Sequence, residues 1–253
     1  MSSKINQLLK NWPTGTVALQ SWLDGQGIDS NLARRYREGK WLEPIGRASY
    51  RRVGDQVDWK GAVYALQNHA GLSIWPGGLT ALSLAGFAHY LPMGRETVWL
   101  YGEPGERLPA WFRSHDWGVN LKYQAPHLFD QSDLDLSSGK FGSFVIKLSS
   151  LERATFELLY LVPRQISFEH AAEVVQALLN LRPRVMQMYL ESCRSIKVKR
   201  LLLFLATYYQ HPWVKNIELD SVDLGAGKRQ IVESGCLDKR FQITVPSEFA
   251  DGP

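Results

Sequence analysis

With 253 residues, 45% of them hydrophobic and 21% charged, the chain has the balance of a globular protein long enough for a full core, in two domains of unequal size. That excludes wholesale disorder. The net charge of +4 is modest but uneven: from Ser30 to Arg52 seven basic residues stand against Glu38 and Glu43, a local +5, so everything outside that segment sums to −1. A surplus confined to one short segment suits a phosphate backbone, and solubility alone does not require it.

Nothing at the N-terminus reads as a secretion signal, and the longest apolar run, residues 201–206, is far too short to span a bilayer. The expected location is the cytoplasm. Cys193 and Cys236 suit a reducing compartment, have no metal-ligand spacing, and read as buried small apolar residues. The nine tryptophans are scattered, which predicts core packing for most of them.

In chain order, Lys4–Asn11 carries Ile5, Leu8 and Leu9 at helical spacing, and Trp12-Pro13 ends it. A second helix is expected over residues 17–24, capped by Thr14 or Thr16, before the tight turn Gly25-Gln26-Gly27. The third covers residues 31–39, capped by Asp29 or Ser30 and closed by Gly39 as a C′ residue. It places Leu32, Ala33 and Tyr36 on one face and Asn31, Arg34, Arg35 and Glu38 on the other. Two helices around a glycine turn, the second basic on its outer face, form a helix-turn-helix. Residues 41–45 and 48–53 around Gly46-Arg47 then predict a hairpin, the wing.

Beyond it the sequence predicts a helix over residues 58–72, a small-residue helix over 80–89 and a turn over 91–94. A strand follows over 97–101, then one or two more within 111–123, a polar turn-rich stretch over 131–142 and a strand over 144–148. Helices are expected over 151–161, 167–181, 184–195 and 197–210, and a closing hairpin pairs 228–232 with 240–245. The fold class is α+β: a winged helix-turn-helix over residues 1–75, then a larger mixed α/β domain over 76–253.

Asn31 with Arg34 or Arg35 would reach base edges, since asparagine pairs bidentately with adenine and arginine with guanine. Arg37, Lys40, Arg51 and Arg52 would grip phosphates, fixing register without reading sequence. A second stretch with a local +5 holds Arg182, Arg184, Arg194, Lys197, Lys199 and Arg200 against Glu191. It reads equally as helix-end electrostatics or as a second phosphate-contacting surface.

Enzyme signatures are thin. There is no phosphate loop ending in Lys-Ser/Thr, no His-Glu-x-x-His and no Gly-x-Ser-x-Gly. His115-Asp116 with Asp133 and Asp135 could serve hydrolysis only if they converged on one pocket. No catalytic residue, metal or cofactor is expected.

The glycine-turn helix pair, the Arg-Arg-Tyr of the third helix, GKWLEPIGRASYRR in the wing, GGLTALSLAGFAHYLPMG and the closing GAGKRQIVESGCLDKRFQITVP together resemble the AbiEi-type antitoxin and transcriptional regulator family, from about residue 3 to 247. The resemblance implies the antitoxin half of a type IV toxin–antitoxin or abortive-infection operon used in phage defence. Such a protein would repress its own promoter by binding inverted repeats in double-stranded DNA. It would counteract a nucleotidyltransferase-like toxin, with or without a stable complex. Carried over residue by residue, the DNA-reading set becomes Ser30, Asn31, Arg34 and Arg35 with Arg47, Tyr50, Arg51 and Arg52 of the wing. Two rivals stay open: a protein-binding module that occludes a partner enzyme directly, and an enzyme that reverses the toxin's modification.

Overall fold

A computed structural model of the chain describes residues 4–87, 94–130 and 136–250. The chain forms two compact units, each gathered from three segments. The first comprises Met1–Pro76, Pro92–Ala125 and Ser137–Leu148, and the second Gly77–Leu91, Pro126–Leu136 and Ser149–Pro253. The first crossing follows Pro76. The chain then returns twice, so the first unit takes in residues 92–125 and 137–148 besides the predicted 1–75.

The first unit opens with α1 (Lys4–Asn11), β1 (Ala18–Leu19), α2 (Gln20–Gly25), α3 (Ser30–Glu38), β2 (Leu42–Gly46) and β3 (Ser49–Arg52). This is the element order of a winged helix-turn-helix. Residues 17–19 were expected to start a helix, but Ala18 and Leu19 pair antiparallel with Tyr50 and Ser49, completing a sheet of order β1-β3-β2. Helix α2 begins only at Gln20, and neither threonine caps it. Thr16 instead accepts a hydrogen bond from the buried Trp12 indole at 3.0 Å and donates to the Pro13 carbonyl at 2.7 Å. A small core of Leu8, Trp12, Leu23, Ile28, Ala33, Leu42 and Tyr50 joins the three helices to the hairpin.

A larger core in the same unit gathers Trp59, Ala62, Val63 and Leu66 of α4 (Trp59–Asn68) with Val98 and Leu100 of β5 (Thr97–Gly102). Trp111 and Phe112 of α6 (Ala110–Ser114) complete it with Trp117, Phe144 and Ile146. Asp58 caps α4 by accepting from the Lys60 and Gly61 amides. Glycine is required at 61 because a Cβ there would lie 1.9 Å from the Gly15 carbonyl oxygen. Strand β5 sits between β4 (Ile74–Pro76), antiparallel to it, and β6 (Asn120–Gln124), parallel to it. The alternation over 111–123 therefore supplies one strand, and residues 110–114 are helical behind Pro109. Residues 136–141, expected as turn, form β7 (Leu136–Phe141) because they pair with β8 (Phe144–Ser149).

The second unit begins with α5 (Gly78–Leu84), packed against α7 (Leu151–Tyr160). Residues 88–89 of the predicted small-residue helix and 91–93 of the following turn lie outside the described residues. Gly77 offers no side-chain cap, so the buried Glu157 of α7 does that work: its Oε2 accepts from the Gly78 amide at 2.8 Å and from Ser149 Oγ at 2.7 Å. Its Oε1 accepts from Arg153 Nε at 3.0 Å. Helices α8 (Phe168–Ala177), α9 (Pro183–Ser192) and α10 (Ile196–Tyr208) follow, with residues 198–206 of α10 buried throughout.

The closing hairpin is also different from expectation. Strands β9 (Arg229–Gln230) and β11 (Ile243–Val245) run parallel, because the intervening segment forms β10 (Cys236–Asp238), antiparallel to β11. The extra strand reverses the chain once more than a hairpin would. Cys193 is buried as predicted, and burial pushes its thiol up to about 11; Cys236 is exposed.

Candidate nucleic-acid interface

The turn between α2 and α3 and the junction between α3 and the wing use one device. Gly27 takes φ 75° after α2; its amide donates to the Asp24 carbonyl and that of Ile28 to the Leu23 carbonyl, each at 2.9 Å. After α3 the same pair recurs, Lys40 to Arg37 at 3.0 Å and Trp41 to Tyr36 at 2.8 Å. This is the Schellman closure, which needs a left-handed residue at C′. At the second site that residue is Lys40, with φ 56°, and not the expected Gly39, whose φ is −77°. A Cβ at Gly39 would meet the Arg35 carbonyl oxygen and the Trp41 indole, each at 3.3 Å, a tight approach that a small shift of the exposed indole would ease.

At the other end of α3, Asp29 is the cap, its carboxylate accepting from the Leu32 amide at 2.7 Å. Ala33 is buried, and Leu32 and Tyr36 are half-buried against the small core. Ser30, Asn31, Arg34, Arg35 and Arg37 are exposed, as are Lys40 and, at the wing tip, Arg47. Among the described residues, Arg34 has a long 3.9 Å contact to Glu38. An exposed pair of this kind contributes little and yields readily to a phosphate.

The wing divides its basic residues by role. Arg51 is held by Glu43 across the strands at 2.8 Å, both half-exposed. Arg52 turns inward: its guanidinium donates to the Leu9 carbonyl at 2.9 Å and lies 5.3 Å from the Trp12 ring centre. Burial lowers its pKa, with Asp55 opposing that shift. Tyr50 is only 8% exposed and belongs to the core. Gly46 lies against Trp111, whose Cβ would be 3.0 Å from an added Cβ, so α6 backs the hairpin near its tip.

The second basic stretch is largely taken up within its own unit. Arg200, 3% exposed, donates to the carbonyls of Leu224, Gly225, Gly227 and Gln242. Lys199 is buried, and Lys197 donates to the carbonyls of Tyr160, the last residue of α7, and of Val162 just beyond it. Arg182 binds the Glu152 carboxylate through Nε at 3.0 Å and Nη2 at 2.8 Å, and Arg194 pairs with Asp130. For Glu152, burial pushes up, but the Arg182 bonds outweigh it and the net shift is downward. Arg184 is exposed on the rim of an open cavity of about 830 Å³ beside Pro183 and Asn216.

Among the described residues, no site for chemistry assembles. Asp116 is exposed and held by both terminal nitrogens of Arg95 at 3.0 Å, and His115 rests on Trp117. Asp133 and Asp135 lie outside the described residues. Among the described residues no group of three His, Cys, Asp or Glu is placed to hold a metal ion, and no helix is long and apolar enough to cross a membrane. One residue departs from the general expectation for tryptophan: Trp41 is 47% exposed beside the C-terminus of α3. Its position directly after a basic, C-capped helix was the available signal.

Residues 1–93 match the family described as "Transcriptional regulator, AbiEi antitoxin N-terminal domain", and residues 95–246 match "Transcriptional regulator, AbiEi antitoxin, Type IV TA system". The chain belongs to the AbiEi antitoxin family. The family is one of regulators and not of enzymes. As a type IV antitoxin and transcriptional regulator, the protein has DNA and a toxin as its partners. Among solved structures, the RV2827C protein from Mycobacterium tuberculosis is similar over 94% of this chain and 88% of its own, with TM-score 0.55 and 12% identity. That likeness concerns the fold alone. None of the curated proteins compared with the chain matches it.

Proposed function

We propose that this AbiEi antitoxin represses its own operon by binding inverted repeats in the promoter through α3 and the wing, and that it counteracts a nucleotidyltransferase-like toxin. The observation that carries the reading is the outer face of α3, where Ser30, Asn31, Arg34 and Arg35 stand exposed at the start and middle of a helix capped at both ends. Major-groove readers present the N-terminal part of the second helix in this way. Within the basic segment, Arg37, Lys40 and Arg47 are the cations best disposed to grip phosphate, and Arg51 joins them while Glu43 orients it. Arg52 and Tyr50 support that surface from behind.

A gel shift and footprint on the chain's own upstream DNA, over a salt series, tests the proposal. Affinity should fall with salt, because gripped phosphates release counterions. The Arg34→Ala, Arg35→Ala double variant should lose the footprint while still binding weakly to any duplex. An unchanged footprint would remove α3 from the reading role.

A further inference from the structure

We propose that the exposed pair Trp41 and Val53 is an apolar contact for the deoxyribose faces of the DNA backbone. It would supply a share of affinity that salt does not screen. The inference rests on the DNA-binding reading above. Trp41 is 47% and Val53 42% exposed, and they are neighbours: the Val53 amide donates to the Trp41 carbonyl at 3.1 Å. They lie just outside the strand pair, on the same side as the half-exposed cross-strand couple Glu43 and Arg51. Leu42 and Tyr50, on the opposite side of the hairpin, fill the small core.

The indole is also placed by design of the backbone. Closure at Lys40 turns the chain, and the indole edge lies against Gly39, 3.3 Å from where a Cβ would stand. Two exposed apolar side chains set side by side offer a small contact surface to a partner. The local charge names the partner's class. Arg37 and Lys40 are exposed beside Trp41, with Arg51 two residues from Val53, and Glu43 is already engaged by Arg51. A partner that approaches such a frame carries dense negative charge with apolar faces between its charges. A nucleic-acid backbone meets that description, since sugar rings alternate with phosphates.

The test uses the full chain, a duplex of its own upstream DNA and a duplex of unrelated sequence. Trp41→Ala should weaken binding to both by roughly tenfold, the effect expected from taking about half a tryptophan's apolar surface out of a contact. The slope of log affinity against log salt should stay unchanged, whereas Lys40→Ala should reduce it by about 0.9. Val53→Ala should act in the same direction, more weakly. In the native chain, DNA should protect a tryptophan from acrylamide quenching, and Trp41→Phe should abolish that protection, a readout independent of fold stability.

Unchanged affinity, a changed salt slope, or quenching indifferent to DNA would each overturn the proposal. So would a Trp41-dependent self-association in the absence of DNA, which would assign the pair to a contact between copies. Failure of the native chain to bind either duplex would instead overturn the DNA-binding reading itself.

Discussion

Replacing Lys40 by glycine separates two roles that coincide in one residue. Lys40 sits at φ 56°, where a side chain costs about 1–2 kcal/mol relative to the right-handed region. Glycine removes that strain but gives the unfolded chain more freedom, worth about 0.5–1 kcal/mol against folding. The net expectation is a protein more stable by about 0.5–1 kcal/mol, read by urea-induced unfolding. The same change deletes an exposed ammonium from the surface proposed to grip phosphate, so the slope of log affinity against log salt should fall by about 0.9. Stability and affinity therefore move in opposite directions. A destabilised Lys40→Gly protein would refute the strain argument, and an unaltered salt slope would remove Lys40 from the phosphate contacts.

Arg52→Met should destabilise by about 1–3 kcal/mol through loss of the Leu9 carbonyl bond and the Trp12 contact, while leaving the salt slope as it was. A lowered slope would return Arg52 to the DNA. Glu157→Gln should cost about 3 kcal/mol in thermal or chemical unfolding, because it discharges a carboxylate that serves Arg153, Ser149 and the Gly78 amide in a buried place; a cost under about 1 kcal/mol would refute the capping role. Burial holds His69, stacked on Trp22 at 4.4 Å, down to about 4 against an ordinary 6.5. Its folded value lies below its unfolded one, so stability is complete above about pH 6.5 and is lost as pH falls toward 4. His69→Phe, which keeps a ring against Trp22, should flatten the decline in unfolding midpoint between pH 7 and pH 5.

Helix α3 was legible because its signals are local: an Asp-Ser cap, apolar residues at 32, 33 and 36, and a glycine at the end. Strand β1 was not, since Val17, Ala18 and Leu19 are buried in either reading and only the distant Ser49 and Tyr50 decide for extended backbone. The parallel pairing of β9 with β11 escaped for the same reason: the short Cys236–Asp238 strand acquires its identity from its partner. Charge counting found the basic segments but could not sort their members. Arg200 and Arg184 look alike in sequence, yet one is enclosed by four carbonyls from residues 224–242 and the other faces solvent. Trp41 shows the converse, since a count of scattered tryptophans conceals the one that stands outside.

The interleaved path of the chain has a consequence for how the protein can be dismantled. Half of the larger core beneath the wing, including Val98, Leu100, Trp111, Phe112 and Phe144, lies after residue 76. A protease that severed the chain once near that crossing would not liberate a working N-terminal fragment, because the fragment would leave with half its interior missing. A cell that degrades this protein would then lose its regulator and its antitoxin in one event.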